Sequence, residues 1–483
     1  MNIVWFKRDL RILDHQPLTE AVKFGEVLPL YVVEPSLWGA GDLSRRHYQF
    51  VLESLQELKE EMLHRGATLL SVIGEMEEVL EQLHATYGFF RLFCIHESET
   101  TWSKNRMERV RNWMSEHQLP LHVYDELDYS GKTKSEIKKN WEKYIHGAEW
   151  EAPNHIPLAE NIPKGFSPAL TKLQLFSVQG DTIRFGQVGG ESMGAETMQS
   201  FVEGRCEQYQ EHYRKPLQAS FSSSRISSYL AWGNISLRSS VRIVEKAMAE
   251  APFEHKQQLI LFQKKLYANF VAKHAFENHP GMDEKSIDPI SDGFRVADGQ
   301  RLKQLQLGMT GIPIIDAAMR CLLKTGWLPF EMRSLIVAFA CNTLLLEWQA
   351  VSQMLSGLFL DYDPGIHFYQ MQYFSGTSSE KSFKVINAIA LGKTIDPEGA
   401  FIKRYVSELK DVAKEYIHEP WLFAGFYSLD YNAPMVDMIK TNKTVKRMLE
   451  PIIRSNQSAV KKDTDKQNVG ADHQLSFDLF SEQ

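Results

Sequence analysis

The sequence predicts an N-terminal α/β domain, with a doubly wound parallel sheet, followed by a C-terminal domain that is all helical. Over residues 2–130, short β-branched runs alternate with amphipathic segments, a pattern typical of strands and helices that take turns along a parallel sheet. From about residue 196 onward, strand signals nearly vanish and apolar residues recur at helical spacing. A chain of 483 residues is long enough to bury two such cores.

These patterns divide the chain into four segments. Residues 1–130 are predicted to form the α/β domain and residues 196–454 the helical domain. Residues 131–195 lack clear periodicity and are rich in Lys, Gly and Pro, so we expect a long linker. Residues 455–483 are polar and charged, which predicts a disordered tail.

The strands of the first domain are bounded by turn signals and separated by amphipathic helices. Strands are predicted at Ile3–Phe6, Val27–Val33, Thr68–Ile73, Arg91–Ile95 and Leu121–Tyr124, and helices at Ser44–Arg65, Glu77–Thr86 and Lys104–Glu116. No G-x-G-x-x-G motif follows the first strand, which argues against a simple dehydrogenase.

Two consecutive helices are predicted in the stretch 310–348 of the second domain. Pro313 suits the first turn of one helix and Gly326 its end, and the second helix, Met332–Leu345, is apolar nearly all round. Arg333 lies within that apolar helix and needs an anionic partner. It either forms a core ion pair, snorkels to the surface, or contacts a cofactor, and these residues alone favour a structural role.

Composition limits the classes of function. The net charge is −7, so any nucleic-acid surface must be a local basic patch. The four cysteines show no C-x-x-C spacing, which favours a reducing cytoplasm and argues against a disulfide framework or a cysteine-based metal site. No run approaches the ~18 apolar residues of a membrane span, so we expect a cytoplasmic protein without a membrane partner.

Three groups of residues have side chains suited to chemistry. The serine-rich stretch Phe221–Ser236 fits either an anion site, to which Arg225 adds charge, or a serine-capped helix. Asp361 and Asp363 stand in a loop where they fit a helix cap, a partner for an arginine or, least well, a metal site, since further ligands are missing. The third group interleaves basic and aromatic residues, as a nucleic-acid surface or a solvated helix face does. It comprises Lys264, Lys265, Tyr267, Lys381, Lys384, Lys393, Lys403, Arg404 and Tyr405.

Four long motifs in order, over residues 1 to 451, together resemble the photolyase/cryptochrome family. They are VWFKRDLRILDHQPL, SSSRISSYLAWGNIS, TGIPIIDAAMRCLLKTGWLPFEMR, and DYDPGIHFYQMQYFSGT with INAIALGKTIDPEGAFIKRYVSEL. The resemblance implies an all-α domain that binds FAD. It also implies a possible second antenna chromophore, of folate or deazaflavin type, in the N-terminal domain.

The resemblance carries roles onto particular residues. The FAD phosphates should contact Tyr209 (or Tyr213), Ser223, Ser224, Arg225, Ile226 and Ser227. Arg333 and Asp361 should pair beside the flavin ring, with Asp363 on the ring or ribityl chain. His367 should lie near the flavin N5, where it either makes the flavin sensitive to pH or is simply a hydrogen-bonded pocket residue.

The implied activity is light-driven repair, in which reduced FAD passes an electron to a pyrimidine dimer in DNA, the dimer splits and the electron returns. The DNA-contacting residues carried over are Lys264, Lys265, Tyr267, Phe330, Glu331, Lys384 and Arg404, several of which differ from the repair enzymes. These departures leave a cryptochrome-type light receptor as the alternative.

The last predictions concern the route of electrons to the flavin and the partners that the protein binds. Of three electron-transfer tryptophans only Trp348 matches, so photoreduction either runs through Tyr369 or Tyr373 or is slow. Damaged DNA is the expected partner of a monomeric protein, and no metal is expected. The segment Gln474–Phe480, QLSFDLF, resembles peptides that dock on a sliding clamp, or is a random apolar end.

Overall fold

The computed structural model describes residues 1–98, 100–159, 161–378 and 385–448. Its N-terminal part is a parallel sheet with strand order β3-β2-β1-β4-β5. The strands are β1 (Asn2–Phe6), β2 (Val27–Val33), β3 (Leu70–Ile73), β4 (Arg91–Ile95) and β5 (Leu121–Tyr124). The predicted fold class is confirmed, and only β3 begins later than its predicted strand by more than one residue. The predicted tail, Gln474–Phe480 and Lys384 lie outside the described residues.

Helices cover both faces of the sheet, and they are the main secondary structure of the described residues beyond it. In the first domain they are α1 (Gln16–Val22), α2 (Pro35–Gly39), α3 (Arg45–His64), α4 (Met76–Tyr87) and α5 (Thr101–Glu116). Between the domains lie α6 (Lys134–His146), α7 (Thr171–Gln174) and α8 (Glu191–Glu203). The rest are α9 (Tyr209–His212), α10 (Pro216–Ser222), α11 (Ser227–Ala231), α12 (Leu237–Glu250), α13 (Phe253–Glu277), α14 (Gly299–Gln306), α15 (Pro313–Thr325), α16 (Phe330–Asn342), α17 (Trp348–Ser356), α18 (Pro364–Ser375), α19 (Ala388–Ile395) and α20 (Ala400–Tyr405).

Strand β1 lies between β2 and β4, and its side chains alternate between two apolar cores. Val4 and Phe6 point into a cluster that continues into the helical domain, whereas Ile3 and Trp5 point into a smaller cluster on the opposite face. Because both faces are covered, every residue of β1 is buried, as expected for a parallel strand.

The predicted linker contains a helix that the sequence analysis missed. Helix α6 begins with a reciprocal capping box between Thr133 and Glu136. Its buried residues Ile137, Trp141 and Tyr144 follow helical spacing. Both signals are in the sequence, but the many lysines around them obscured the apolar face.

The signature helices of the second domain form as predicted. Helix α15 has Pro313 in its first turn and ends at Gly326, whose φ of 70° is left-handed. Helix α16 buries nearly its whole circumference, which puts Arg333 beside the core. This helix ends at Asn342, before the predicted limit at Leu345.

The two domains pack directly against each other. Gly233, with φ of 69°, approaches the backbone of Arg8 so closely that an added Cβ would lie 2.1 Å from the Arg8 carbonyl oxygen. The Arg8 guanidinium donates a 2.8 Å hydrogen bond to the carbonyl of Tyr362. These contacts connect the carboxyl end of β1 to two loops of the helical domain, one after α11 and one before α18. Within the described ranges, no helix has the length and apolar character needed to cross a membrane.

Candidate functional site

A deep cleft opens in the helical domain between the α10–α11 segment, α13, the start of α16 and the loop before α18. Its free space, including the open mouth, is about 1170 Å³. All nine residues carried over as cofactor contacts line it: Tyr209, Ser223, Ser224, Arg225, Ile226, Ser227, Arg333, Asp361 and Asp363. Residues far apart in the sequence therefore meet at one place.

Arg333 and Asp361 form a bidentate ion pair in the wall of this cleft. Arg333 Nη1 donates to Asp361 Oδ1 at 2.9 Å and Nη2 donates to Oδ2 at 2.7 Å. Arg333 Nε donates to the carbonyl of Leu328 at 2.7 Å, and the guanidinium lies 4.4 Å from the ring centroid of Phe359. The side chain is therefore held in one orientation, with a fifth of its surface exposed.

Burial alone would raise the pKa of the Asp361 carboxyl, but the charge and hydrogen bonds of Arg333 outweigh burial, and the pKa is lowered. Asp361 therefore remains ionised at neutral pH. The Ser227 hydroxyl is close enough to help lower this pKa, yet it is buried and has no well-aligned hydrogen-bond partner among the described residues. A ligand with polar groups would satisfy it.

Arg225 places a second cation in the cleft. Its guanidinium lies 4.0 Å from the ring centroid of Trp327, and no carboxylate of the described residues forms an ion pair with it. Burial lowers its pKa to about 10, so it remains charged at neutral pH. A buried cation without an ion-pair partner favours an anionic ligand.

The loop that carries Arg225 is held in an uncommon conformation. Arg225 has a φ of 63°, and its carbonyl accepts a 2.6 Å hydrogen bond from Gln187 Nε2. Arg205 donates to the carbonyls of Ser223 and Ser224, the latter at 3.1 Å. The sequence analysis missed Gln187 and Arg205, since supports of this kind leave no motif.

Asp363 joins two elements at the inner end of the cleft. It is the N-cap of α18, and its carboxylate accepts from the backbone of Ile366. Lys273 Nζ of α13 lies 2.7 Å from Asp363 Oδ2. The ion pair fixes Asp363 against α13, and Lys273 is another residue that the sequence analysis missed.

His367 lines a small extension of the cleft beyond Arg333 and Asp361. Its Nε2 lies 2.9 Å from Ser352 Oγ. Burial lowers the pKa of His367 to about 4, despite the opposing hydrogen bond with Ser352. The imidazole is therefore neutral near pH 7, which favours the hydrogen-bonded pocket residue over a pH-sensitive group.

Trp348 is buried away from the cleft lining, and its Nε1 donates to Ser286 Oγ at 2.8 Å. Its ring stacks on no other aromatic ring in the part of the chain that the structure describes. Its role in electron transfer stays a prediction.

The residues carried over as DNA contacts separate into two groups. Lys265 and Phe330 line the cleft. Lys264 and Tyr267 do not: Lys264 is exposed, and the Tyr267 ring packs 5.5 Å from Trp141 of α6. The cleft side of α13 instead includes Asn269, because residues three and four apart share a helix face.

Two more of the predicted DNA contacts, Glu331 and Arg404, also lie outside the cleft lining, and Lys384 lies outside the described residues. Glu331 forms a 3.1 Å ion pair with Arg214. Arg404 is exposed beside the ring of Tyr405. Further cleft residues that the sequence analysis missed are Phe262, Leu266, Trp327 and Gln370.

A second, smaller cavity lies at the carboxyl ends of β1, β2 and β4, at the point where the strand order reverses. Its walls include Trp38, Ser98 and Arg106. Trp38 Nε1 and Ser98 Oγ are buried there without a hydrogen-bond partner among the described residues. This position is where parallel α/β sheets commonly bind ligands.

Comparison with known families matches both domains. Residues 2–127 match the model of the DNA photolyase domain, and residues 262–451 match the model of the FAD binding domain of DNA photolyase. The chain belongs to the photolyase/cryptochrome family. Members of this family are FAD flavoproteins. The residues of the cleft fit that cofactor, because two cations and the serine hydroxyls suit a pyrophosphate and the aromatic walls suit flat rings.

Relatives named as photolyases and relatives named as cryptochromes both match nearly the whole chain. A deoxyribodipyrimidine photo-lyase of Alkalihalophilus pseudofirmus is 23% identical, over 92% of this chain and 96% of the relative. A cryptochrome DASH of Gloeobacter violaceus is 24% identical, over 91% and 93%. The crystal structure of a bacterial class III photolyase from Agrobacterium tumefaciens superposes with a TM-score of 0.81 at 23% identity, covering 95% of this chain and 98% of that one. The structural likeness supports the shared fold.

Proposed function

We propose that this protein is an FAD-dependent, blue-light-driven DNA photolyase that splits pyrimidine dimers. The observation that carries the proposal is the single cleft that joins all nine predicted cofactor contacts to a mouth with basic, amide and aromatic side chains. Such a mouth suits a dimer of two adjacent bases that has left the stack, since its rings need flat apolar walls and its edges need hydrogen bonds.

Some residues of the cleft bind the cofactor and others bind the substrate. The Ser223–Ser227 loop and Arg225 bind the cofactor phosphates, and the Arg333–Asp361 pair fixes a cation beside the ring system. Bound FAD supplies the light-driven transfer of one electron to the dimer. Lys265, Asn269 and Gln370 orient the extruded bases and their phosphate, while Phe330 and Trp327 exclude water.

The test uses flavin-loaded protein and an oligonucleotide that contains one defined thymine dimer. The flavin is reduced chemically, the mixture is illuminated with blue light, and restored thymine is measured by chromatography against a dark sample. Restoration only in the light supports the proposal. Flavin-loaded, reduced protein that restores no thymine would exclude it.

A cryptochrome-type receptor is the second candidate, because the rim of the cleft carries unusual charges. Glu331 follows the cleft residue Phe330 and forms a 3.1 Å ion pair with Arg214, so a negative charge lies beside the cleft and the positive charge of Arg214 is partly compensated. This candidate predicts a light-dependent change in protease sensitivity or oligomeric state, in a protein that repairs no dimer. A conformation insensitive to light would count against it.

The proposal also includes a second chromophore, of folate or deazaflavin type, in the cavity at the carboxyl ends of β1, β2 and β4. The unpartnered Trp38 Nε1 and Ser98 Oγ support a polar ligand there. Absorption spectra and chromatography of the compounds released by acid test it. Release of FAD alone from protein purified from its native host would exclude an antenna.

A further inference from the structure

Tyr362 separates the small extension of the cleft from the N-terminal domain. It follows Asp361 directly, and its ring forms a wall of the extension that Arg333 and His367 also line. The ring centroids of Tyr362 and His367 are 5.2 Å apart, in an edge-to-face arrangement. An oxidisable phenol therefore lies in the wall of the proposed flavin site, where its side chain is 2% exposed.

The hydroxyl of Tyr362 points away from the cleft, toward the loop after α2. It donates to Asp42 Oδ2 at 3.2 Å, and this carboxylate is its hydrogen-bond acceptor among the described residues. Burial raises the pKa of the Asp42 carboxyl, so the carboxylate is a stronger base than an exposed one. The distance is within the range over which a side chain accepts a proton directly.

The charge of Arg8 determines how Tyr362 can be oxidised. The Arg8 guanidinium lies 5.6 Å from the Tyr362 ring centroid and 4.2 Å from that of Trp232. A cation at these distances disfavours a positively charged ring, so an electron can leave easily only if a proton leaves too. Trp232 cannot do this, because its Nε1–H donates to the carbonyl of Leu360, which is no base. Tyr362 can, because Asp42 is its acceptor.

We propose that Tyr362, with Asp42 as its proton acceptor, is an electron donor for photoreduction of the bound flavin. Tyr362 gives one electron to the photoexcited oxidised flavin, its O–H bond breaks, and the proton joins Asp42 Oδ2. This leaves a neutral tyrosine radical and a protonated carboxylic acid. A small-molecule thiol later returns the electron, and Asp42 returns the proton. The inference rests on the proposed flavin site but not on DNA repair.

The test compares Tyr362→Phe and Asp42→Asn with a matched control, Tyr431→Phe. Tyr431 is also buried and donates to a carboxylate, Asp316 Oδ2 at 2.6 Å, but neither residue lines the cleft or its extension. Flavin content is measured first by absorbance. Photoreduction with a thiol is then followed under blue light, and the radical by transient absorption and electron paramagnetic resonance.

We expect Tyr362→Phe to lose the neutral tyrosine radical. In each of the two single variants, Tyr362→Phe and Asp42→Asn, photoreduction of the flavin should be slower than in the wild type, on the order of tenfold. Deuterated water should slow the wild type more than Tyr362→Phe. A flavin-loaded Tyr362→Phe variant with the wild-type radical and rate would overturn the inference, as would an equal loss in Tyr431→Phe. Failure of the proposed function appears separately, as absent repair by chemically reduced wild type.

Discussion

Arg333 and Asp361 meet through two parallel hydrogen bonds, of 2.9 Å and 2.7 Å, in the wall of the cleft. The helix that carries Arg333 is mostly apolar, so the carboxylate partner offsets the cost of placing a permanent charge beside the proposed flavin. The Asp361 side chain is 3% exposed, while the Arg333 side chain keeps a fifth of its surface exposed. The cation is therefore the more exposed member of the pair in the cleft wall.

Arg333→Lys should weaken FAD retention by at least tenfold, because an ammonium cannot make the two parallel bonds and would leave Asp361 partly unpaired. The loss in the free energy of unfolding should be about 3 kcal/mol. Dialysis followed by absorbance measures the flavin, and urea denaturation measures stability. Arg320→Lys is the control, because Arg320 pairs with Glu408 at 2.7 Å outside the cleft lining. Equal flavin loss in both variants would contradict a specific role.

The stability of the protein should fall as pH drops from about 6.5 toward 4, in part through His367. Its pKa in the folded protein is about 4, against 6.5 for the free side chain, because the imidazole is buried. The unfolded chain therefore binds a proton in this range that the folded protein does not, so acid favours unfolding. The full effect of His367 is about 3 kcal/mol.

His367→Asn removes this contribution, so its stability should depend less on pH than that of the wild type. Urea denaturation at about pH 7 and about pH 5 measures the free energy of unfolding of both proteins. Between these two pH values, the wild type should lose about 2 kcal/mol more than His367→Asn. A difference that stays constant with pH would mean that His367 titrates alike in both states.

Gly233→Ala should destabilise the contact between the two domains strongly. The new Cβ would lie 2.1 Å from the carbonyl oxygen of Arg8, in a residue with left-handed φ, so a cost on the order of 4 kcal/mol is expected. Gly281→Ala is a matched control, with φ of 83° and no atom within 4 Å of the added Cβ. It should cost only about 1–2 kcal/mol. Thermal denaturation compares the two, and equal shifts would contradict the close domain contact.

The sequence predicted those features that rest on local pattern. Helix α15 has its proline and its glycine where capping chemistry requires them, and the alternation of strands and helices was sufficient for the sheet. The resemblance of the motifs predicted that residues far apart in the sequence, such as Ser223 and Asp361, would meet at one site. Local periodicity carries no such information. The ion pair of Lys273 with Asp363 was missed, because a lysine on a long helix carries no signal of its partner.

Helix α13 turns only part of the residues predicted on it into the cleft, for a geometric reason. This helix has 25 residues with apolar side chains on several sides, so the spacing does not say which stripe faces the cleft. A shift of one residue rotates the assigned face by about 100°. On this helix the resemblance selected Lys264, Lys265 and Tyr267, whereas the folded helix turns only Lys265 of these three, together with Asn269, into the cleft.

Lys265→Gln should weaken binding of dimer-containing single-stranded DNA severalfold, whereas Lys264→Gln should leave it nearly unchanged. Lys265 lines the cleft beside Tyr213, and Lys264, its neighbour on the same helix, is exposed on another face. If Lys265 contacts a phosphate, its loss should also lower the slope of log affinity against log salt by about 1. Fluorescence anisotropy of a labelled oligonucleotide at several salt concentrations measures both quantities, with an undamaged oligonucleotide as reference. A larger effect of Lys264→Gln would place the DNA contact on the exposed face of α13 and would contradict a role of Lys265 at the lesion.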